Sequence, residues 1–499
     1  MANQMRVRPS ESPSWAVADL AERLEVGAPE GAADIRFTGI ALNSSQVESG
    51  DLYAALPGAR AHGADYAPTA IEAGAVAILT DAEGAARVTG VPVVVVEHPR
   101  AVLADLSAEF YRRPTTAMTM LGITGTQGKT TTTYLAEAAL TGRRSAVVGT
   151  IGTRIAGVAA ASALTTPEAP QLQALFAVMR EEDVEVCAME VSSHALVQGR
   201  VDGFAFDVAV FLNLGRDHLD FHETVEEYFL AKAALFTPEH AKHAVVNVDD
   251  AHGRRLIELT SLPVTTFSTD GAAADWRAVN VRPHRLGTDL EVLGPDGSAT
   301  ELHVPLAGVF NVSNALAALV ALATAGHDPV DLAAGIAAST GVPGRMERVE
   351  AGQDFTAIVD YAHKPDAVTA VLAALRPVTA GRLIIVIGAG GDRDHGKRPL
   401  MGAAAAADAD VVIVTDDNPR TERPATIRAE VMAGAEPGPG LAIEIAGRRE
   451  AIAHAVAMAH LGDTVVVAGK GHERGQEIAG VVQPFDDHAV MVELMGGTP

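Results

Sequence analysis

Leu121-Gly-Ile-Thr-Gly-Thr-Gln-Gly-Lys-Thr-Thr131 closes an apolar run, residues 118–124, and leads into a helical segment, residues 131–140. A strand, a glycine-rich bend and a helix start in that order form a cradle for phosphate. Gly125 and Gly128 let the backbone bend and bring its N–H groups toward an anion, and the helix N-terminus adds partial positive charge. Lys129 can reach β- and γ-phosphates, and the Thr130 hydroxyl suits a magnesium ion. The common pattern carries a glycine five positions before Gly128, where this chain has Ile123. The loop is therefore the variant G-T-x-G-K-T. A chance glycine-rich turn would not explain the strand before it and the helix after it.

Beyond the loop, strand and helix patterns alternate, which predicts an α/β fold with mostly parallel sheets. Apolar strands are expected at 118–124, 184–191, 206–214 and 244–248. Residues 271–304 are weakly patterned and read only as short strands. A second boundary falls at 341–345. After it strands are expected at 357–361, 383–387, 411–415 and 464–468, with helices at 365–375 and 450–459. Before the loop, 35–42 and 93–96 read as strands and 101–111 as an amphipathic helix. That helix runs into Arg112-Arg113-Pro114, where the proline biases its predecessor out of the helix. The alanine run 403–407 reads as helix. We expect three domains: a mixed α/β domain at 1–116, a central doubly wound nucleotide-binding domain at 117–343, and a smaller Rossmann-like α/β domain at 344–499.

The 499 residues exceed one hydrophobic core. A formal net charge of −25 excludes a large nucleic-acid surface, which needs a basic face. Small anions remain possible, held by local amides, Lys and Arg. The one cysteine, Cys187, lies in an apolar run and reads as a small buried hydrophobe. No disulfide can form within the chain, which fits a reducing compartment. Residues 1–13 lack a signal-peptide core, and no apolar run approaches the roughly 20 residues of a membrane span. The expectation is a cytoplasmic protein with no membrane partner.

A phosphate loop alone fits kinases, GTPases, ATPases and ligases. Glu190-Val-Ser-Ser-His194 and Asn213-Leu-Gly-Arg-Asp-His-Leu-Asp220 lie where strands end, and α/β sheets expose ligand groups there. Glu190 and His218 are reasonable Mg²⁺ ligands beside a bound triphosphate. Lys232, on the following helix, reads from its surroundings as an ordinary solvated lysine.

Taken in order, Gly125–Thr130, Glu190–His194 and Asp217–His222 with Tyr228 and Ala231-Lys232 resemble the central motifs of the Mur ligase family. Gly308–Asn314, Val342–Glu347 and Asp360–His363 resemble its later ATP-site motifs. Gly390–Asp394 with Lys397–Pro399, Asp417–Arg420 and Gly469–Glu473 resemble the branch that adds a diamino acid. The resemblance spans nearly the whole chain. It implies that Gly125, Thr126, Gln127, Gly128, Lys129, Thr130 and Thr131 hold ATP, with Asn314, Arg345, Asp360 and His363 completing that site from the domain boundary. It implies two Mg²⁺ ions held with the help of Thr130, Glu190, His218 and a carbamylated Lys232; Lys129, Glu190, His218 and Lys232 are the catalytic set. Leu42, Ser44, Ala59, Arg60 and Ala61 match a uridine site. Thr165, Thr166, Ser192, Gln198 and Arg200 match contacts to the UDP-sugar peptide. Arg393, Asp417, Asn418, Pro419, Arg420, Gly469 and Glu473 match contacts to diaminopimelate.

The implied reaction is ATP-dependent, ADP-forming amide ligation by a monomer. The D-Glu γ-carboxylate of UDP-MurNAc-L-Ala-D-Glu becomes an acyl phosphate, which the amine of diaminopimelate attacks. Arg420 suits the distal carboxylate and Glu473 the distal ammonium, with the meso isomer favoured over LL and lysine disfavoured. Some positions depart from the family pattern: Gln127 for Asn, Ser45 for Arg, Glu223 for Gly, Lys364 for Thr and Gly475 for an aromatic. Two rivals share the loop. A folylpolyglutamate synthetase would lack the first domain and the Asp417–Arg420 signature. A nucleotide-binding scaffold would be expected to have lost Lys129, Glu190 or His218.

Overall fold

The computed structural model describes residues 5–58, 60–215, 217–218 and 221–497. Ala59, Arg216, Leu219 and Asp220, named in the motifs above, lie outside the described residues. The chain divides into two compact units, residues 1–267 with 320–327, and residues 268–319 with 328–499.

The first unit holds a parallel sheet of four strands in chain order, Gly39–Ala41, Asp51–Ala54, Ala77–Thr80 and Val93–Val95. The expected strand 35–42 is interrupted. Arg36–Phe37 pairs antiparallel with Trp15–Ala16, and only Gly39–Ala41 joins the parallel sheet. The helix Pro99–Phe110 buries Leu103, Leu106 and Phe110 against this layer.

The same unit holds a larger sheet. Its order is Val158–Ala160, Gly152–Ile155, Ser145–Gly149, Val186–Glu190, Thr119–Thr124, Val208–Phe211, Ala244–Asn247, Val264–Ser268. The strands from Ser145–Gly149 onward in that order run parallel. Except for Val264–Ser268, they are buried on both faces and largely apolar. The chain goes from Thr119–Thr124 to Ser145–Gly149, returns to insert Val186–Glu190 between them, then crosses to Val208–Phe211 on the other side. That reversal is a topological switch point, where such sheets open a crevice at their C-terminal ends. Glu190 and the loop after Phe211 thus flank the phosphate loop.

The second unit contains an antiparallel meander, Trp276–His284, Gly287–Leu293 and Ala299–Val304. These strands are longer than expected from sequence. Thr288, Leu290 and Val292 alternate inward, but a register shift between Val279 and Arg282, with Asn280 at φ 53°, breaks the period that sequence reading depends on. The other sheet has the order Glu347–Arg348, Thr356–Asp360, Thr464–Ala468, Leu383–Ile387, Val411–Val414, Leu441–Glu444, parallel except for the first strand. Thr464–Ala468, last of these in the chain, inserts between the second and third, making another switch point. The helices Pro365–Leu375 and Arg448–Met458 fall where expected to within two residues, and Lys397–Asp408 contains the alanine run 403–407 but starts well before it. No helix of the described residues is long and apolar enough to cross a membrane.

Candidate active site

The strand Thr119–Thr124 carries Ile123 in full register with Glu190 and Val210. The strand thus continues through the position where the common loop has a glycine, and the bend is confined to 125–128. Gly128 sits at φ 88°, in the left-handed region open to glycine. From it the helix Lys129–Ala139 starts two residues earlier than expected, placing Thr130 and Thr131 in the first turn. Asn213 straps the loop down: its Oδ1 accepts from Gln127 N at 3.0 Å, its Nδ2 donates to Gln127 O at 3.2 Å, and its carbonyl accepts from Thr126 N at 3.0 Å. Lys129 Nζ donates to Gly125 O at 2.8 Å and Thr126 O at 3.3 Å, folded back over the cradle.

Glu190 is buried at the end of its strand. Its Oε1 accepts from Thr150 N at 2.8 Å and its Oε2 from Thr150 Oγ1 at 3.1 Å. A Cβ at Gly149 would overlap Glu190 Oε1, so the glycine leaves the space that carboxylate occupies. Thr150 Oγ1 meets Thr165 Oγ1 at 3.0 Å. Thr166 Oγ1 donates to Glu190 O and accepts from Ser192 N, while Ser192 caps the helix Ser193–Val197. Arg200 donates to Thr166 O at 2.8 Å and Gln198 Oε1 at 2.6 Å and pairs with Glu168 at 3.0 Å. The five residues predicted to contact the sugar peptide thus form one connected group around Glu190.

Lys232 corrects the sequence reading. It is 1% exposed, not solvated, because the helix Val225–Ala233 turns it under the phosphate loop. Its Nζ donates to Gly125 O at 3.0 Å and Thr124 Oγ1 at 3.4 Å and lies 4.6 Å from the Tyr228 ring centre. Burial, then the nearby Lys129 charge, push its pKa well below the usual lysine value, while Asp217 opposes the shift. His218, at φ 53°, packs edge-on against His194 with ring centres 4.9 Å apart and lies 6.1 Å from Tyr228. His222 Nε2 meets Ser193 Oγ at 2.9 Å. Carboxylate, imidazole, hydroxyl and a buried amine therefore lie around the loop, and Thr130, Glu190 and His218 could hold a hard divalent cation.

In the four-stranded layer, Leu42 and Ser44 flank Asn43, whose Oδ1 accepts from Ser45 N and Ser45 Oγ at 3.0 and 2.9 Å. Arg60 and Ala61 are exposed beside the bridge between Pro57 and His62.

In the second unit, Asn314 lies on the helix Val309–Thr324 and donates to Asn311 Oδ1 at 3.2 Å. Asp360 accepts from Met346 N and Ala362 N at 2.7 and 2.8 Å, and burial raises its pKa. The Arg345 guanidinium lies 4.3 Å from the Tyr361 ring centre. His363 Nδ1 donates to Tyr361 O at 2.8 Å, and burial lowers its pKa.

Four loops leave this sheet's C-terminal edge: 361–364, 388–396, 415–423 and 469–474. Arg420, at φ 54°, is fixed through its backbone, with N donating to Glu477 O and O accepting from Ala479 N. Its Nη1 donates to Gly391 O at 2.6 Å, and its Nε lies 3.4 Å from Glu477 Oε2. Asn418 Nδ2 donates to Glu473 Oε2 at 2.9 Å. The Asp417 carbonyl, two residues before Pro419, accepts from Gln476 Nε2 at 2.6 Å. Arg393 is exposed on the neighbouring loop, and Gly469 follows the central strand at φ 113°. The predicted amino-acid contacts are thus gathered on adjacent loops.

Comparison with known proteins agrees with this geometry. Residues 36–111 match the Mur ligase family catalytic domain, 123–322 the Mur ligase middle domain, and 344–471 the Mur ligase glutamate ligase domain. The chain is 53% identical to the UDP-N-acetylmuramoyl-L-alanyl-D-glutamate--2,6-diaminopimelate ligase of Streptomyces avermitilis, over 98% of each chain. The chain belongs to the Mur ligase family. It is an ATP-dependent amide ligase by that membership. A solved structure titled UDP-N-acetylmuramoyl-L-alanyl-D-glutamate--2,6-diaminopimelate ligase matches with TM-score 0.68 and 34% identity, covering 97% of this chain and 99% of that one. The MurF ligase of Thermotoga maritima in complex with ADP shares the fold, with TM-score 0.61 and 22% identity over 92% and 96% of the two chains.

The departures from the Mur pattern sit where the structure absorbs them. The Gln127 backbone makes the contacts that hold the loop, so its side chain is not needed for that. Ser45 turns onto Asn43 and brings no cation. Glu223 N donates to Glu227 Oε2 one residue before the cap Thr224. Lys364 occupies an N-cap where threonine would cap the helix, and its side chain makes no capping bond. A Cβ at Gly475 would meet Val482 Cγ1 at 2.7 Å, so an aromatic there would require the hairpin Gly475–Ile478/Val481–Pro484 to repack. Sequence reading missed Asn213 as the loop's strap, Lys470 and the buried pair Arg448–Asp487. Each works with partners more than 35 positions away, or has no motif role of its own. His284, Asp289 and His303 cluster on the meander. His284 Nδ1 accepts from Leu286 N, so that nitrogen is already engaged, and its Nε2 lies 3.4 Å from Asp289 Oδ1.

Proposed function

We propose that this Mur ligase joins the D-Glu γ-carboxylate of UDP-MurNAc-L-Ala-D-Glu to 2,6-diaminopimelate, meso in preference to LL, cleaving ATP to ADP and phosphate. The observation that carries the reading is the placement of Arg420, Asn418 and Glu473 on loops locked by backbone bonds at one sheet edge. The distal end of diaminopimelate bears both a carboxylate and an ammonium, and a fixed guanidinium beside a carboxylate matches it. Arg393, Asp417, Pro419 and Gly469 belong to the same proposed site. The printed names of the Streptomyces relative and the 34% identical structure support the choice.

In the proposed reaction a γ-carboxylate oxygen bonds to the γ-phosphorus and the bond to ADP breaks. The amine then attacks the acyl carbon, loses a proton, and phosphate departs. The difficulty is bringing two anions together, so catalysis is positioning and charge neutralisation. Lys129 and the amides of 125–131 supply that on the phosphate side. Thr130, Glu190, His218 and Lys232 fit as the Mg²⁺ donor set; when bound, the ions neutralise phosphate and carboxylate oxygens. Lys232 qualifies through its burial. A neutral amine adds CO₂, forming an N–C bond and releasing a proton, and the product is an anionic oxygen ligand. We assign Thr165, Thr166, Ser192, Gln198 and Arg200 to the sugar peptide, Leu42, Ser44, Arg60 and Ala61 to uridine, and Asn314, Arg345, Asp360 and His363 to the nucleotide. The reading takes three domains with boundaries near 116 and 343, acting as a cytoplasmic monomer.

The test is ADP release from ATP and UDP-MurNAc-L-Ala-D-Glu across meso-diaminopimelate, LL-diaminopimelate and lysine, with a folyl-glutamate acceptor as control. The expected result is release with meso-diaminopimelate far above lysine. Arg420→Ala should raise KM for diaminopimelate roughly 100-fold and leave KM for ATP unchanged. Equal use of lysine would overturn the selectivity, and release dependent on the folyl acceptor would overturn the reaction.

A further inference from the structure

Lys470 has no role in the site as assigned, yet it is the most completely buried lysine near it. Its side chain is 0% exposed. It follows Gly469 at the end of Thr464–Ala468, and its Nζ donates to Asn418 Oδ1 and to Glu473 Oε2, both at 3.1 Å. Asn418 closes the triangle by donating from Nδ2 to the same Glu473 oxygen at 2.9 Å. Asn418 Oδ1 also accepts from Glu477 N at 3.0 Å. Glu473 Oε1 makes no hydrogen bond among the described residues.

These contacts fix an orientation that no contact fixes alone. A flipped Asn418 amide would set its NH₂ against an ammonium and an N–H donor, and its oxygen against a carboxylate. The Lys470 ammonium therefore acts with Glu477 N and the Glu473 carboxylate in setting which way Asn418 points. It also commits one Glu473 oxygen and leaves the other presented. A buried ammonium needs compensation, here from Asn418 and Glu473 of the proposed edge, and the strand end needs no lysine as its anchor. That anchor already exists next door. Arg448, equally buried, is held bidentate by Asp487 at 2.7 Å on both bonds and donates to Ala468 O at 2.9 Å.

We infer that Lys470 is a positioning residue for amino-acid selection, holding Asn418 and Glu473 so that a single carboxylate oxygen faces the ammonium of the incoming diamino acid. This rests on the proposed function of the same edge. Lysine and diaminopimelate both carry that ammonium, so Lys470 sets affinity for the amine end, and Arg420 discriminates by the carboxylate.

The experiment compares wild type, Lys470→Met and Lys470→Gln in steady-state ligation with saturating ATP and UDP-MurNAc-L-Ala-D-Glu. Methionine keeps the volume without the charge; glutamine keeps a donor without the charge. Both are expected to raise KM for meso-diaminopimelate tenfold or more, with KM for ATP and for the UDP-sugar peptide within twofold of wild type. Against a Glu473→Gln background, Lys470→Met should add less than threefold, because the pair acts as one unit. A purely structural lysine predicts lower melting temperature and a smaller active fraction without a split among the three KM values. Unchanged KM for diaminopimelate in both variants, or loss of fold in both, overturns the inference. If wild type itself fails to use diaminopimelate, the function reading fails instead.

Discussion

At the C-terminal edge of the first unit's sheet, Lys129 and Lys232 lie against the backbone of the phosphate loop, and the buried carboxylate of Glu190 is held by the amide and hydroxyl of Thr150. At the corresponding edge of the second unit's smaller sheet, side chains do the work, and they are already paired with one another: Arg420 near Glu477, Lys470 with Glu473, Arg398 with Glu422 and Glu430. Both edges arise at a switch point of a parallel sheet. The first rests its lysines on backbone carbonyls and its carboxylate on an amide and a hydroxyl, which suits binding a polyanion with its cations. The second is nearly complete by itself, which suits reading a zwitterion by small differences. Losing a group should therefore abolish turnover at the first edge and shift recognition at the second.

The largest effect should come from Lys129→Ala. It removes the loop's charge where phosphate charge develops, and turnover should fall about 10³-fold or more at saturating ATP. The fold should be unaffected, since Lys129 caps no core. Retained turnover with normal melting temperature would place the phosphate chemistry elsewhere.

Next in size is Lys232. Lys232→Ala should cost about 10²- to 10³-fold in turnover, with partial return on adding a small carboxylic acid that replaces the missing oxygen ligand. The pH dependence has a definite sign. Its amine pKa is lowered, so the neutral form needed for CO₂ uptake exists at lower pH than for ordinary lysine. Carbamate formation releases a proton, so it still fails as pH falls, and bicarbonate should restore activity more at the acid end of the profile than at the alkaline end. Labelled CO₂ giving no carbamate signal that depends on Lys232 would refute the modification.

Lys232 also marks where sequence reading stopped. The phosphate loop is contiguous, so spacing alone gives the strand, the bend and the helix. Strands 383–387 and 464–468 were equally legible, because burial on both faces makes them unbroken apolar runs. Lys232 was not, since Thr124 and Gly125 cover it from more than 100 positions away, and on its own helix it looks like any lysine. The order of the strands, which sets Glu190 and Asn213 on either side of the loop, is likewise a tertiary fact. Resemblance to the family supplied the role of Lys232, Glu190 was legible at a strand end, and the strapping role of Asn213 was not legible at all.

Gly149→Ala tests whether Glu190 needs its present position. The added methyl overlaps Glu190 Oε1 and must displace the carboxylate or the strand end. An off-position ligand weakens a hard-cation site without removing it, so the Mg²⁺ concentration for half-maximal activity should rise roughly tenfold. Melting temperature should be checked alongside, because both residues lie in adjacent parallel strands. An unchanged Mg²⁺ requirement would detach Glu190 from the metal.

The smallest effect should sharpen the second edge. Glu477 Oε2 lies 3.4 Å from Arg420 Nε, with side chains 37% and 25% exposed. On the proposed reading it stands where a substrate carboxylate would compete for the same guanidinium. A pair this open to solvent is worth about 0.5 kcal/mol, so Glu477→Gln should lower KM for diaminopimelate roughly two- to threefold. The Glu477 backbone contacts to Arg420 and Asn418 survive that change, so the loop should keep its shape. Lysine has no distal carboxylate to profit from the freed guanidinium, and its KM should stay where it was. An equal fall for both amino acids would mean that Glu477 acts on the general field of the edge, and Arg420 would lose its place as the group that tells the two apart.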